Sequence, residues 1–103
     1  PSVLPDNWSL SGGYLIGPGA NLFQADLDGV DLEGLDFEGS NLAFATLVGA
    51  NLAGANLTNT NLAETDLTGA TLNGVISGGI TGTPKALPVG WSLVGGELVP
   101  TAP

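Results

Sequence analysis

A Leu or Phe occupies every fifth position through the middle of the chain, eleven times in succession and without an insertion. These positions are Leu22, Leu27, Leu32, Phe37, Leu42, Leu47, Leu52, Leu57, Leu62, Leu67 and Leu72. A strict internal repeat is the first signal to interpret, because it decides the architecture before any residue is considered singly. The period of five therefore determines which fold the sequence predicts.

A period of five fits neither an α-helix nor one long strand. At about 3.6 residues per turn, five residues rotate each Leu by about 140°, so the apolar side chains form no stripe. Glycine also recurs at positions 29, 34, 39, 49, 54, 69 and 74, and each would cost a helix about 1 kcal/mol relative to Ala. In a flat strand, an odd period sends successive Leu side chains to alternate faces. The pattern therefore predicts a chain that bends once per repeat, a solenoid with Leu along its axis.

The other repeat positions agree with a solenoid. Two residues before most of the Leu or Phe positions lies a small side chain, such as Ala25 or Ala50, which suits a second inward position near a crowded axis. The residue directly before is Asn, Asp or Thr in all eleven units, for example Asn51 and Asp66. Asn and Asp bond to nearby backbone and favour turns, and the recurrent glycine suits a corner at which φ is positive.

Units such as ANLFQ, ADLDG and ANLAG resemble the pentapeptide-repeat proteins, whose repeat is A(D/N)LxG. The resemblance covers residues 20–74 without a gap, and Val30, Leu35 and Phe44 are its mild departures. It implies an all-β fold, a right-handed quadrilateral β-helix with four pentapeptides per coil. The stacks it implies are Leu22, Leu42 and Leu62 on one side, Leu27, Leu47 and Leu67 on the next, Leu32, Leu52 and Leu72 on the third, and Phe37 with Leu57 on the fourth.

The two ends of the chain resemble each other. Residues 1–20 read PSVLPDNWSLSGGYLIGPGA and residues 84–103 read PKALPVGWSLVGGELVPTAP, identical at nine of twenty positions at a constant offset of 83. In each segment, two short β-type runs flank a Gly-Gly turn, which indicates a hairpin. The predicted segments are an N-terminal hairpin or cap (1–19), the repeat β-helix (20–76), a linker rich in Gly, Thr and Pro (77–86) and a C-terminal hairpin (87–103).

Two interpretations of the hairpins stay open. As caps, they would cover coil ends whose unpaired N–H and C=O groups invite stacking, with Trp8 and Trp91 each lying over one end of the core. Alternatively, the offset marks residues 1–83 as one unit of a tandem array. The segment is similar to an LPxGWxLxxGYL(V/I)GPGANL leader that precedes pentapeptides in tandem bacterial modules. In the second copy PTAP replaces GPGA, so we expect either the last unit of an array or separate copies that continue it end to end.

Apolar side chains at outward positions add a second candidate surface. Phe23, Phe44 and Val48 are predicted to fall near one corner of the first two coils. The N-terminal hairpin could fold over this corner, or the corner could contact another chain. The candidate assembly or cap residues are Trp8, Tyr14, Phe23, Phe44 and Trp91.

Charge excludes one class of function. Ten acids stand against one base, Lys85, for a net charge of −9, which excludes a basic footprint for nucleic acid. Six acids form a girdle around the predicted first coil: Asp26, Asp28, Asp31, Glu33, Asp36 and Glu38. We interpret the girdle first as a solvated rim that discourages sideways pairing. A surface for a basic partner comes second, and a calcium site comes last because no EF-hand or RTX spacing is present.

The residues needed for catalysis are missing. There is no His or Cys, so the usual nucleophile–base pairs cannot form, and a filled axis offers no cleft that would raise a carboxyl pKa. The segment GGYLIGPG lacks the following helix and the Lys of a nucleotide-binding loop. No apolar run approaches the length of about 18 residues that a membrane helix needs. The sequence therefore predicts a protein that is not an enzyme, carries no cofactor and does not insert into a membrane.

Three functions remain as hypotheses. The first is a structural unit that associates with copies of itself in a filament, sheath or tandem cell-surface array. The second is a DNA mimic that inhibits a topoisomerase, as some pentapeptide-repeat proteins do. Three coils at about 4.8 Å span only about 14 Å, however, which is less than one turn of DNA. The third is an adhesion module whose acids bind calcium or a partner. The scarcity of Lys and Arg suits an extracellular or cell-surface location, while a cytoplasmic one stays open.

Overall fold

The computed structural model describes residues 4–101, in which all regular structure is strand or bridge. Strands β1 (Ser9–Ser11) and β2 (Tyr14–Ile16) form one antiparallel hairpin, and β3 (Trp91–Val94) and β4 (Glu97–Pro100) form another. The predicted all-β class is confirmed. The outermost residues of the two predicted hairpin segments, 1–3 and 102–103, lie outside the described residues.

Between the hairpins, the chain coils with a period of twenty residues. Single parallel bridges join each repeat to the one twenty residues further on, as in Asn21↔Asn41 and Asn41↔Asn61. Four pentapeptides therefore complete one coil. The columns of bridged residues are 21–41–61–81, 26–46–66–86, 31–51–71 and 36–56–76.

One hydrogen-bond pattern repeats along the coil and explains why Asn or Asp precedes most of the Leu residues. Asn51 N donates to Val30 O at 3.0 Å, and Leu32 N donates to Asn51 O at 2.8 Å, so each bridge residue joins two coils through its backbone. Its side-chain oxygen accepts within its own repeat, where Ala53 N donates to Asn51 Oδ1 at 3.0 Å, and its Nδ2 donates to Asp31 Oδ1 of the neighbouring coil at 3.3 Å. The ladder and the side-chain bond together satisfy backbone groups that would otherwise be costly to bury.

Each repeat turns through one residue with positive φ. Gly54 holds this position at a φ of 69°, where glycine has no steric penalty. Four repeats place another residue there, at φ values of 56° to 61°: Gln24, Phe44, Asn59 and Glu64. The corner geometry is therefore imposed by the ladder even where the residue does not favour it.

The core is a narrow column along the coil axis. All eleven Leu and Phe side chains of the five-residue pattern are buried. The smaller inward position is also buried in most repeats, and where it is polar its hydroxyl donates to a carbonyl: Ser40 to Gly17 O at 3.1 Å, and Thr65 to Leu42 O at 2.7 Å. Val30 and Leu35, the two large residues at this position, are only partly buried.

The coil continues into the segment that the sequence predicts as a linker. Thr81 bridges Asn61 and Ala86 bridges Asp66, so residues 77–86 extend two of the four columns. The five-residue phase is kept through this segment although Ser77 and Gly82 stand where the repeat would place Leu. The absence of those Leu residues hid the continuation from a pattern based on them.

Candidate functional site

The N-terminal hairpin packs on the first coil through one face. Ile16 is buried, and the Tyr14 hydroxyl accepts a hydrogen bond from Asp26 N at 3.1 Å. The Trp8 ring, which lies just before β1, covers Gly17 so closely that no Cβ would fit there. Trp8 and Tyr14, two of the predicted cap or assembly residues, are thus half-buried against the core.

The C-terminal hairpin packs on the last coil. Ile80 N donates to Gly96 O at 3.1 Å, and Leu98 N donates to Ser77 Oγ at 2.9 Å. Leu98 is buried, and Leu93 and Trp91 are partly buried against the same core. Both ends of the coil are therefore covered by a hairpin of the same chain.

The two hairpins use opposite faces, although their sequences match. Leu10 pairs with Leu15 across the first hairpin, and the equivalent pair, Leu93 and Leu98, lies 83 residues later. Leu10 and Leu15 are 67% and 52% exposed, whereas Leu98 is 5% exposed. The first hairpin therefore leaves exposed the face that the second hairpin buries.

Sequence reasoning named Trp8, Tyr14 and Trp91 at the ends but missed Leu10 and Leu15. The alternation of strand side chains was the available signal, because it places Leu15 on the face opposite Tyr14 and Ile16. The alternation shows that the hairpin has two faces, but it does not show which of them the coil will cover.

The predicted corner cluster forms an aromatic pair on the side of the coil. The ring centroids of Phe23 and Phe44 lie 5.7 Å apart at an interplanar angle of 65°, an edge-to-face arrangement. Phe23 and Phe44 are 49% and 55% exposed, and Val48, four residues after Phe44, is also exposed. The N-terminal hairpin therefore does not enclose this corner.

The acidic girdle lies on the rim of the first coil, and its Asp side chains accept hydrogen bonds from backbone N–H groups. Asp31 Oδ1 accepts from Glu33 N at 3.2 Å, and Asp36 Oδ1 accepts from Glu38 N at 3.0 Å. Asp26 binds its own repeat in the same way, and Asp28 Oδ1 reaches the second coil, where it accepts from Val48 N at 2.8 Å. Within residues 4–101, no three carboxylates converge in a group that could hold a metal ion.

One acid outside the girdle has a perturbed ionisation. The hydroxyl and amide of Thr68 donate to Asp66 Oδ1 at 2.6 Å and 3.0 Å. These two bonds, with a smaller contribution from the charge of Lys85, lower the pKa of Asp66 below its ordinary value. Asp66 therefore stays ionised to more acidic pH than a free aspartate.

Neither a cleft nor a membrane helix accompanies these surfaces. The part of the chain that the structure describes forms no pocket. Residues 4–101 also include no helix with the length and apolar character to cross a membrane. The candidate sites are therefore surfaces: the exposed Leu10–Leu15 face, the Phe23–Phe44 corner and the acidic girdle.

Comparison with known families now identifies the class. The family model described as pentapeptide repeats (8 copies) matches residues 18–52 and 36–74, which together cover more than half of the chain. The chain belongs to the pentapeptide-repeat family, as its sequence indicated. Proteins of this family are generally non-enzymatic structural modules. A comparison with curated proteins finds no match.

Two solved structures show how much of the fold is shared. HetL, a pentapeptide-repeat protein involved in heterocyst differentiation regulation from the cyanobacterium Nostoc sp. strain PCC 7120, is 36% identical over 57% of this chain and 28% of its own, with a TM-score of 0.56. Rfr23 from the cyanobacterium Cyanothece 51142 is 33% identical over 66% of this chain and 47% of its own, with a TM-score of 0.63. This chain therefore spans less than half the length of either relative.

Proposed function

We propose that this chain is a non-catalytic structural unit that associates end to end with copies of itself, in a filament, sheath or tandem surface array. The β-helix is taken as right-handed and four-sided, as the family resemblance implies. The twenty-residue period of the bridges supports four sides. An extracellular or cell-surface location is part of the proposal, supported by a single trypsin-sensitive residue, Lys85.

The observation that carries the proposal is the distribution of exposed apolar side chains. Six of the nine large exposed ones among the described residues lie at the two ends of the molecule: Leu4, Leu10 and Leu15 at one end, and Ile76, Val89 and Val94 at the other. The other three form the corner at Phe23, Phe44 and Val48. Burial of apolar surface drives association, and clustered exposed apolar groups mark contact surfaces.

Charge favours contact through the ends over contact through the sides. The side of the first coil carries the six-acid girdle, and the whole chain has a net charge of −9. Two copies placed side by side would bring like charges together, which costs free energy. A contact between the two different ends of neighbouring copies can be repeated indefinitely when the rotation between copies does not close a ring. The product is then a filament.

The shape and bonding of the chain suit a building block. The described part measures 49 × 24 × 23 Å along its principal axes, and its long dimension exceeds the roughly 14 Å of three coils at strand spacing because a hairpin extends each end. Ladder hydrogen bonds join every coil to the next. In an end-to-end assembly, such a rod would fix the orientation of each copy relative to the next.

The test is the mass of the purified chain as a function of concentration. Light scattering should show a mass that rises with concentration, and negative-stain electron microscopy should show rods of constant width and variable length. The association should persist at low salt, where repulsion between the acidic sides is strongest. A single species of 10.2 kDa at every concentration would contradict the proposal.

A further inference from the structure

We propose that the exposed Leu10–Leu15 face of the N-terminal hairpin docks on the C-terminal end of the coil in a second copy, in the place that the C-terminal hairpin occupies within the chain. This inference rests on the proposed end-to-end association and assigns its interface. The partner is a second copy, because the equivalent Leu pair of the C-terminal hairpin packs on the C-terminal end of the coil within this chain.

The two hairpins are the same structural unit. Both have the sequence WSLxGGxL, and both pair their two Leu residues directly across the strands. Their turns also agree, since Gly12 and Gly13 have φ values of 58° and 87°, and Gly95 and Gly96 have φ values of 57° and 82°. A surface that fits one hairpin therefore meets the same backbone and the same Leu pair in the other.

The second hairpin shows which surface the Leu pair fits. Leu98 is buried against the last coil, where its N–H donates to Ser77 Oγ and the Gly96 carbonyl accepts from Ile80 N. In the first hairpin the equivalent groups are the N–H of Leu15 and the carbonyl of Gly13. Docked on a second copy, these groups would bind the same Ser77 and Ile80.

The first hairpin cannot use this face within its own chain, because its other face already holds it on the first coil. Ile16 is buried there, Tyr14 bonds to Asp26 N, and Gly12 lies against Val30. A hairpin of this sequence thus has two packing faces, one for the coil that follows it and one for a coil that precedes it. Among the described residues, no coil covers the second of these faces in the first hairpin, where Leu10 and Leu15 are exposed.

The two surfaces also match in charge. Residues 7–25, which contain the first hairpin, include no charged side chain, and neither do residues 67–84, which form the end of the coil. In a chain with a net charge of −9, these are the surfaces that approach each other with least repulsion. The match sets the direction of contact as N-terminal hairpin on C-terminal coil end.

The C-terminal hairpin competes for the same coil end. It is attached to that end by a short connection, so its effective concentration there is high. A second copy must displace it, in the manner of a domain swap. Substitutions that weaken the packing of the C-terminal hairpin on the coil should therefore strengthen association between copies. Substitutions in the exposed face of the N-terminal hairpin should have the opposite effect.

Substitutions in the full chain test this competition. By light scattering, Leu10→Ser with Leu15→Ser should weaken association about tenfold or more, and Leu93→Ser with Leu98→Ser should strengthen it by a similar factor. All four together should remove that gain. Phe23→Ser with Val48→Ser is the matched control, since it removes exposed apolar groups from the side and should leave the mass unchanged. Equal association with and without Leu10 and Leu15 would overturn the assignment.

A cross-linking experiment gives a second readout that leaves the residues of the C-terminal hairpin unchanged. The chain has no Cys, so a Leu15→Cys protein can be mixed with a Ser77→Cys protein under mild oxidation. Because Leu98 lies beside Ser77, the docked Leu15 should come within disulfide reach of it, and a mixed dimer should form. If the mixture forms it no faster than Leu15→Cys with Val48→Cys, the assignment is wrong. Association of the wild-type chain without this cross-link would leave the proposed function intact and remove only the interface.

Discussion

Leu15 and Leu98 occupy equivalent positions in two hairpins of one chain, yet Leu15 is 52% exposed and Leu98 is 5% exposed. Both have a cross-strand Leu partner and both follow a Gly-Gly turn. Their environments differ because one hairpin meets the beginning of the coil and the other meets its end. The shared WSLxGGxL motif thus makes two different contacts, one at each end of the chain.

The first prediction compares truncations of these two residues. Leu98→Ala should lower the free energy of unfolding by about 2–3 kcal/mol, because it removes buried methyl groups and leaves a cavity. Leu15→Ala should change it by less than about 0.5 kcal/mol, as expected for an exposed position. Urea unfolding at a low protein concentration, where association is negligible, measures both. Equal effects of the two substitutions would contradict the assignment of the faces.

The second prediction concerns the centre of the core. Leu52 is fully buried between the coils below and above it. Leu52→Asp should prevent folding, because a carboxylate there would have neither water nor a partner charge. Asn61→Asp is the matched control, since Asn61 is only partly buried, its neighbours in the column are Asn41 and Thr81, and Asp accepts the same backbone bond in other repeats. Circular dichroism during heating distinguishes them, and a cooperative melt of Leu52→Asp would contradict the prediction.

These cases show which features were predictable from the sequence. The class and the family follow from the five-residue pattern, because each repeat meets only the repeats twenty residues away and the same few contacts recur. The environments of Leu15 and Leu98 do not follow, because both lie in the same WSLxGGxL motif and the coil end that each hairpin meets is not visible in that motif. The continuation of the coil through Thr81 and Ala86 was missed because backbone pairing, with no Leu at 77 or 82, maintains it there.

The third prediction uses Phe44, whose φ of 61° is the left-handed conformation that most repeats give to glycine. A non-glycine residue held there carries a strain of about 1 kcal/mol or more. Phe44→Gly and Phe44→Ala both lose the contact with Phe23, but only the glycine variant loses the strain. Phe44→Gly should therefore be about 1 kcal/mol more stable to unfolding than Phe44→Ala. If the alanine variant were as stable as the glycine variant, the corner would not be strained.

The fourth prediction is a dependence of stability on pH that arises from Asp66. Bonds from Thr68, with help from Lys85, lower the pKa of this carboxyl in the folded chain below the ordinary 3.8. A lowered pKa in the folded state means that the unfolded state binds the proton first, so the contribution to stability is fully present above the ordinary pKa. It is lost as the pH falls below about 3.8 and through the folded value. Urea unfolding between pH 6 and pH 2 should thus show a steeper acid loss for the wild type than for Asp66→Asn.

Thr68→Val supplies the control for that experiment, because it removes the hydroxyl that makes the largest contribution to the shift. Its carboxyl at position 66 should titrate closer to the ordinary value, which carbon-detected NMR of the side chain measures directly. The acid loss of Thr68→Val should then be intermediate between the wild type and Asp66→Asn. If all three proteins lost the same amount of stability at low pH, the Thr68–Asp66 bonds would not persist in solution.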